Sequence, residues 1–225
     1  MNDLTIAFDL DGTLVETAPD LIRATNHVMG LIGEHPVAPT EIRASISFGA
    51  RAMIVKALDI RTVRLTNAEI DGLLEHFLAH YTDNIAVESH PFPGLEGALD
   101  RLASAGAKLV VCTNKREGMS RLLLETLGLA GHFAAIAGRD TFPVHKPHPD
   151  HLTGAVRLAG GDPRLAIMVG DSNTDLLTAR AAGVPMIGVP FGYTDVPMRQ
   201  LGPDALLEHY DDLAATIERV RPQPT

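Results

Sequence analysis

Short apolar runs alternate with amphipathic stretches along most of the chain. Five apolar runs bounded by turn residues indicate buried strands, at residues 4–10, 107–113, 133–138, 165–171 and 184–189. Helical patterns separate these runs, which is typical of parallel strands that are covered by helices on both faces. The pattern therefore predicts an α/β fold with a doubly wound, Rossmann-like parallel sheet.

Between residues 16 and 91 no apolar run predicts a convincing strand. Thr66 and Glu69 bound a T-N-A-E capping-box pattern, and the apolar residues behind it share one helical face. Two further amphipathic stretches lie at 20–32 and at 40–58. The sequence therefore predicts an all-helical domain at 16–91, inserted into a core domain formed by residues 1–15 and 92–225.

Composition narrows the classes of partner. The 225 residues carry a formal net charge of -9, which disfavours nucleic acid or an anionic membrane as the main partner. The single cysteine, Cys112, excludes an internal disulfide, and it lies inside a predicted strand where packing is its expected role. Neither a signal peptide nor a run of about 20 apolar residues is present. We therefore expect a soluble cytoplasmic protein.

Acidic residues follow two of the predicted strands. Asp9 and Asp11 end the first strand, Asp171 ends the fourth, and Asp175 lies one helical turn later. Because the carboxyl ends of parallel strands meet at one edge, these carboxylates would repel one another unless a cation lay among them. Oxygen ligands suit Mg²⁺, which Asp9 and Asp171 would bind through their side chains and Asp11 through its backbone carbonyl.

Residues suited to phosphate lie at the same predicted edge. Thr113 and Asn114 end the second strand, and Lys146 lies in the loop between the third and fourth. The Thr113 hydroxyl and the Lys146 ammonium suit phosphate oxygens that a metal leaves free. Each residue also has an ordinary interpretation: Thr113 as a β-branched strand residue, Lys146 as a solvated loop lysine and Asp175 as a helix cap.

Four motifs carry a resemblance to a known family. In chain order they are DLDGT, TN, HKPHPD and GDSNTD, and together they resemble those of the haloacid dehalogenase-like (HAD) phosphohydrolases over nearly the whole chain. The stretches FDLDGTLVETAPDL, TNKREGMSRLLLETLGL, KPHPDHL and FGYTDVPMRQLGPDALLE resemble the phosphoglycolate phosphatase branch. The resemblance implies a HAD-like catalytic core, a helical cap at 16–91, and Mg²⁺-dependent hydrolysis of 2-phosphoglycolate or a similar small phosphorylated metabolite.

The resemblance also implies a role for each residue at the sheet edge. Asp9 would be the nucleophile that forms an aspartyl-phosphate, and Asp11 the general acid and base. Lys146 would neutralise the nucleophile and the phosphate. The remaining roles are phosphoryl binding by Thr113 and Asn114 and metal binding by Asp9, Asp11 and Asp171, with support from Asp175. HAD dehalogenases and phosphonatases lack an acid at the position of Asp11, so its presence favours phosphate monoesters.

The helical insert contains the candidate specificity residues. In the stretch SFGARAM, Gly49 permits close backbone approach and Arg51 is suited to a substrate carboxylate, although an exposed helix-start arginine is equally expected. The phosphoglycolate phosphatase branch often has a more glycine-rich sequence here. This departure argues against a strict specificity for 2-phosphoglycolate. In the core, Lys115 is a second candidate anion contact or a solvated lysine.

Three other functions stay open at this stage. They are a sugar-phosphate mutase of the β-phosphoglucomutase type, a pyrophosphatase, and a non-catalytic sensor of phosphorylated metabolites. An intact pair of acids at Asp9 and Asp11 disfavours the sensor, because a pure binder gains little from two repelling carboxylates. Either a monomer or a homodimer fits the sequence.

Overall fold

The computed structural model describes residue 1 and residues 3–222 of the chain. By internal contacts the chain divides into two compact units. The first, which we call the core unit, comprises Met1–Glu16 and Pro91–Thr225; the second, the helical unit, comprises Thr17–His90. Among the described residues, no helix combines the length and apolar character needed to cross a membrane.

Strands and helices alternate through most of the described chain. The strands are β1 (Thr5–Phe8), β2 (Val15–Glu16), β3 (His90–Pro91), β4 (Lys108–Cys112), β5 (Ala135–Ala137), β6 (Ala166–Gly170), β7 (Met186–Gly188) and β8 (Ala205–Leu206). The α-helices are α1 (Ala18–Leu31), α2 (Pro39–Ile42), α3 (Ala50–Ile60), α4 (Asn67–Asp83), α5 (Leu95–Ser104), α6 (Glu117–Thr126), α7 (Pro149–Leu158), α8 (Asn173–Ala182), α9 (Met198–Leu201) and α10 (Leu213–Val220).

Six of the strands form one parallel sheet in the core unit. Their order across the sheet is β5-β4-β1-β6-β7-β8, and Phe8 of β1 pairs with Val111 of β4 and with Val169 of β6. The chain fills one side of β1 first and then returns to fill the other. This arrangement confirms the predicted doubly wound α/β sheet, and it puts the topological switch point, where such folds bind ligands, between β1 and its neighbours.

Helices cover both faces of this sheet. On one face, α7 packs against β4 and β5, and α8 packs against β6 and β7; α5 and α10 pack together on the other. Residues that alternate along each strand divide between the two faces, as the pleat requires. Ala7, Val110 and Met168 thus point into the cluster that contains Leu152 of α7 and Leu176 of α8. With both faces covered, polar groups gather at the strand ends.

The five predicted strands are confirmed, with shorter bounds. The first strand ends at Phe8 rather than at residue 10, so Asp9 is the first residue beyond it. Three short strands were missed: β8 at the sheet edge, and the pair β2 and β3, which form a two-stranded sheet. The expectation of no strand from residue 16 to residue 91 is therefore wrong at both ends of that segment. Strands of two residues are too short to produce an alternating pattern.

The helical unit contains the helices α1 to α4. Thr66 caps α4 as predicted: its hydroxyl accepts a hydrogen bond from the Glu69 backbone N–H, while the Glu69 carboxylate accepts one from the Thr66 N–H. The predicted break at Gly49 is the start of α3, which follows a short 3₁₀ helix at Arg43–Phe48. The buried residues of α1, α3 and α4 form the interior of this unit.

A buried carboxylate ties together the two chain ends of the helical unit. Asp20, in the first turn of α1, accepts hydrogen bonds from the backbone N–H groups of Glu88 and Ser89, at 3.1 and 2.9 Å, and from the Ser89 hydroxyl at 2.7 Å. Arg23 lies 2.7 Å from its other oxygen. Every oxygen of this buried acid is therefore matched by donors.

Candidate active site

A tight turn after β1 brings two acidic residues to the sheet edge. The Asp9 backbone N–H donates to the Val169 carbonyl at 2.9 Å and so continues the ladder one residue beyond β1. Gly12 then turns the chain with φ of 82°. A Cβ atom at Gly12 would lie 2.6 Å from the Asp171 carboxylate, so only glycine fits both the dihedral angle and the space.

Three carboxylates converge at this edge. Oxygens of Asp9, Asp171 and Asp175 lie within 4.8 Å of one another. Asp175 occupies the first turn of α8, where its Oδ2 atom accepts hydrogen bonds from the backbone N–H and the hydroxyl of Ser172, at 3.1 and 2.6 Å. Its Oδ1 atom lies 2.6 Å from Lys146 Nζ. Asp175 thus completes the capping box of α8, whose N-cap is Ser172, and also belongs to the acidic cluster, so the two interpretations of its role are compatible.

One buried ammonium faces two of these acids. Lys146 is 2% exposed, and its Nζ atom lies 2.9 Å from Asp9 Oδ1 as well as close to Asp175. Burial by itself would lower the pKa of Lys146, but the charges of Asp175 and Asp9 outweigh it and raise that pKa above the ordinary value. Lys146 is therefore a permanent cation in the site, not a solvated loop lysine.

The cluster contains three carboxylates and one facing ammonium, and this excess of negative charge contributes to raised pKa values. Burial raises the pKa of Asp9 to about 6, with Lys146 opposing the rise and Asp175 adding to it. Burial also raises the pKa of Asp171 well above its ordinary value, and the charges of Asp175 and Asp9 contribute further. A divalent cation would relieve both the repulsion and the desolvation. The donor set, oxygens of buried carboxylates, fits such a hard cation.

Backbone and side-chain donors fix Asp171 in place. Its Oδ1 atom accepts a hydrogen bond from the Thr13 hydroxyl at 3.2 Å, and its Oδ2 atom accepts one from the Tyr193 backbone N–H at 2.7 Å. A Cβ at Gly192 would lie 2.2 Å from the Asp171 Cβ, so the chain passes very close there. No sequence pattern predicted a role for Thr13, Gly192 or Tyr193, although the stretch FGYTD is part of the family resemblance.

Thr113 and Asn114 lie directly beyond β4 and shape the adjoining loop. The Thr113 backbone N–H continues the ladder by donating to the Ala137 carbonyl at 3.0 Å. The Asn114 side-chain amide donates to the Lys146 carbonyl at 3.0 Å, which ties the Lys146 loop to the strand end. Asn114 Oδ1 is buried and has no hydrogen-bond partner among the described residues. Both predicted phosphate-binding residues thus lie at the sheet edge.

Lys115 forms an ion pair with Asp11, the second acidic residue of the turn after β1. Its Nζ atom is 2.9 and 3.1 Å from the two oxygens of Asp11. Lys115 was predicted to be a possible contact for a substrate anion, and its ion pair with Asp11 was missed. Lys146 and Lys115 thus engage different carboxylates of the same turn.

The remaining two candidates belong to the helical unit. Gly49, with φ of 88°, is the N-cap residue directly before α3. Arg51 donates from Nε to Asp71 Oδ1 at 3.1 Å and from a terminal nitrogen to Asn67 Oδ1 at 2.9 Å. Arg51 is therefore bound to α4 in this structure, rather than extended into solvent.

Two buried side chains behind the site have no charged role. His151 lies between the Gly138 carbonyl, 3.0 Å from Nε2, and the Cys112 sulfur, 3.7 Å from Nδ1. Burial lowers the pKa of His151 to about 4 and raises that of Cys112 to about 12. The neutral thiol packs in β4, as the sequence predicted for Cys112.

Comparisons with known proteins agree with this geometry. A family model described as haloacid dehalogenase-like hydrolase matches residues 6–189. A phosphoglycolate phosphatase of Mesorhizobium japonicum is 50% identical over 95% of this chain and 93% of that protein. One of Agrobacterium fabrum is 49% identical over 92% of this chain and 88% of that protein. The crystal structure of a predicted phosphoglycolate phosphatase from Haemophilus somnus superposes with a TM-score of 0.88 at 28% identity, covering 96% of this chain and 98% of that one.

The family match spans every acidic residue of the sheet edge, from Asp9 to Asp175. The parallel sheet, its switch-point acids and the extent of the matched sequence all agree, and they confirm both the resemblance seen in the four motifs and the prediction that the protein is an enzyme. The chain belongs to the haloacid dehalogenase-like hydrolases.

Proposed function

We propose that the protein is a Mg²⁺-dependent phosphatase that hydrolyses small phosphate monoesters through an aspartyl-phosphate on Asp9. One observation carries the proposal: a buried lysine, Lys146, lies between Asp9 and Asp175 at the switch point, where a third acid, Asp171, also lies. Such a site offers a nucleophile, a cation for phosphate oxygens and oxygen ligands for a metal. In this proposal Asp9, Asp171 and the Asp11 carbonyl hold Mg²⁺, with Asp175 in support.

The proposed reaction has two steps. A carboxylate oxygen of Asp9 attacks phosphorus, and the ester P–O bond breaks with its electron pair on the leaving oxygen, which takes a proton from Asp11. Water then attacks the phosphorus of the aspartyl-phosphate and gives a proton to Asp11, while the bond to Asp9 breaks and phosphate leaves. Lys146, Thr113 and Asn114 bind the phosphoryl oxygens. The chemistry that bound Mg²⁺ supplies is Lewis-acid polarisation of those oxygens.

The first candidate substrate is 2-phosphoglycolate. Support comes from the two relatives named phosphoglycolate phosphatase, which are 50% and 49% identical to this chain over nearly its full length. The helical unit would serve as the cap that reads the rest of the substrate. Within it, Arg51 would exchange Asp71 for the carboxylate of the substrate, and Gly49 would allow the backbone to approach. Lys115 is a second candidate for that carboxylate.

Cellular context completes the proposal. A net charge of -9 and a small anionic substrate fit an enzyme that acts in the cytoplasm on a dissolved metabolite, without nucleic acid or membrane as partner. A monomer or a homodimer would serve equally, because every residue assigned to the reaction belongs to one chain.

Release of inorganic phosphate tests the proposal. Purified protein is incubated with 2-phosphoglycolate, ethyl phosphate, 4-nitrophenyl phosphate, a sugar phosphate or pyrophosphate, with Mg²⁺ or with a chelator. We expect phosphate release that requires Mg²⁺ and is fastest for 2-phosphoglycolate. Transfer of phosphate between sugar positions without release would instead indicate a mutase, and binding without turnover of any ester would indicate a sensor. Fastest release from pyrophosphate would replace the monoester proposal.

A further inference from the structure

The ion pair of Lys115 with Asp11 lies outside the roles assigned so far. The Lys115 side chain is 6% exposed and that of Asp11 is 20% exposed, so this is not a solvated surface pair. The ammonium is 2.9 Å from one Asp11 oxygen and 3.1 Å from the other. Burying an ammonium is costly unless it is well paired, and an ammonium that bonds both oxygens restricts rotation of the carboxyl group.

The backbone around Lys115 is held from two directions. Its N–H donates to the Thr113 hydroxyl at 3.2 Å, and its carbonyl accepts from the Arg139 N–H at 3.0 Å. A Cβ at Gly138 would lie 2.7 Å from the Lys115 carbonyl oxygen and 2.2 Å from the Glu117 nitrogen. The segment after β5 therefore presses directly on the segment after β4, and the base of the Lys115 side chain is anchored.

The two buried lysines at this edge have separate carboxylates. Lys146 forms ion pairs with Asp9 and Asp175, whereas Lys115 forms one with Asp11. In the proposed reaction Asp9 meets phosphorus and Asp11 meets the leaving oxygen, on opposite sides of the phosphoryl group. The lysines therefore divide between the attacking side and the leaving side of the site.

We infer that Lys115 is a positioning residue for Asp11: by bonding both carboxyl oxygens it fixes the plane of the carboxyl group and so its direction towards the leaving group. This inference rests on the proposed phosphatase function. In the first step the Asp11 carboxyl group gives its proton to the leaving oxygen as the ester P–O bond breaks, and in the second step it takes one from the attacking water. Lys115 keeps its own protons throughout and contacts neither phosphorus nor the leaving atom.

The role can be tested through the leaving group. An alkoxide needs a proton to depart, whereas 4-nitrophenolate departs without one at neutral pH. The value of kcat/KM reports the steps up to departure of the leaving group, so it isolates the acid role of Asp11 from the later hydrolysis. Lys115→Met removes the ammonium at similar length, and Lys115→Arg restores a cation. Lys108→Met, which changes an exposed lysine at the other end of β4, is the matched control.

We expect Lys115→Met to lower kcat/KM for ethyl phosphate and for 2-phosphoglycolate by about 10²-fold, within the range that acid–base catalysis contributes, and for 4-nitrophenyl phosphate by less than about threefold. Lys115→Arg should recover most of the loss, and Lys108→Met should change none of the three values. A loss confined to 2-phosphoglycolate would overturn the inference and make Lys115 a substrate-carboxylate contact. An equal loss for all three esters would also overturn it.

A measurement without metal or turnover gives a second readout. In the metal-free protein, ¹H–¹⁵N spectra of lysine ammonium groups should show a slowly exchanging Lys115 signal, assigned by its absence from Lys115→Arg. Asp11→Ala should abolish or shift that signal and leave the Lys146 signal in place. A Lys115 signal that Asp11→Ala does not affect would overturn the inference. If the wild-type protein hydrolyses no phosphate ester, the proposed function fails, while this spectrum still reports the ion pair.

Discussion

Each unit of the molecule contains buried carboxylates, but the two units balance them differently. In the helical unit, the one buried acid Asp20 is matched by two backbone N–H groups, a hydroxyl and the Arg23 guanidinium. In the core unit, the ammonium of Lys146 pairs with two of the three clustered acids, and burial with mutual repulsion raises the pKa of both Asp9 and Asp171.

The difference distinguishes an acid with a structural role, Asp20, from the acids of the candidate active site. Asp20 has the donors that make a buried carboxylate stable in the folded chain alone. The core cluster has more carboxylates than cations among its own residues, so a bound cation would stabilise its ionised form. Buried carboxylates whose charge is balanced by donors therefore indicate a structural role, whereas unbalanced ones indicate a candidate ligand site.

The largest effect is expected for Asp9→Asn, which should abolish activity without destabilising the folded protein. Asp9→Asn should lower phosphate release by about 10⁴-fold or more, because an amide cannot form the phosphoenzyme. The free energy of unfolding of the metal-free protein should stay equal or rise, because one of the repelling charges is removed. Phosphate release and urea unfolding measure the two quantities. Activity near that of the wild type would remove Asp9 from the nucleophile role, as would a phosphorylated peptide that lacks Asp9.

The opposite pattern is expected in the helical unit. Asp20→Ala should lower the free energy of unfolding by about 3–5 kcal/mol, because it leaves the N–H and the hydroxyl of Ser89 buried without their acceptor and removes the buried partner of Arg23. Glu88→Ala is the control: its carboxylate pairs with the same arginine but is 61% exposed, so its loss should cost less than about 1 kcal/mol. Urea unfolding of both variants measures this contrast. Equal losses of unfolding free energy in the two variants would show that water replaces Asp20 as the acceptor for these donors.

A third prediction concerns the pH dependence of stability in the core unit. Burial lowers the pKa of His151 from 6.5 to about 4. Between these two pH values, His151 is mostly protonated in the unfolded chain and mostly neutral in the folded one. The stabilisation from neutral His151 is therefore complete above the unfolded pKa and is lost as the pH falls from there towards about 4, to a total of about 3 kcal/mol.

His151→Gln isolates that contribution, because glutamine keeps an N–H for the Gly138 carbonyl and does not titrate. Urea unfolding of metal-free protein is compared between about pH 7 and about pH 4. The wild type should lose about 3 kcal/mol more than the variant over this range. The raised pKa values of Asp9 and Asp171 favour the folded state at low pH in both proteins, so they cancel in the difference. Parallel pH profiles would contradict a neutral buried His151.

The sequence predicted what depends on strand ends and could not predict what depends on loop geometry. Asp9, Asp171 and Thr113 follow apolar runs, and parallel topology alone brings such positions to one edge. Lys146 comes from a loop, and the family motif rather than periodicity pointed to it. The donor that Tyr193 gives to Asp171 is a backbone N–H, which any residue but proline possesses, so no side-chain pattern marks it.

The contacts of Lys115 and Arg51 show the same limit. Both residues were identified as possible substrate contacts, because a cation near a phosphate site suggests an anion. Their partners in the structure, Asp11 and Asp71, lie 104 and 20 residues away along the chain. Such pairs depend on how neighbouring segments pack, which the sequence pattern alone does not specify.

The smallest effect on stability is expected for the proposed specificity residue of the helical unit. Arg51 and Asp71 are 43% and 63% exposed, so Arg51→Ala should change the free energy of unfolding by less than about 1 kcal/mol. Its effect on kcat/KM should instead be large for 2-phosphoglycolate and small for ethyl phosphate, which lacks the carboxylate. Arg64→Ala, which breaks another exposed pair of the same unit with Asp59, is the control and should alter neither value. Equal losses for both esters would remove Arg51 from the reading of the substrate and leave its pairing with α4 as its role.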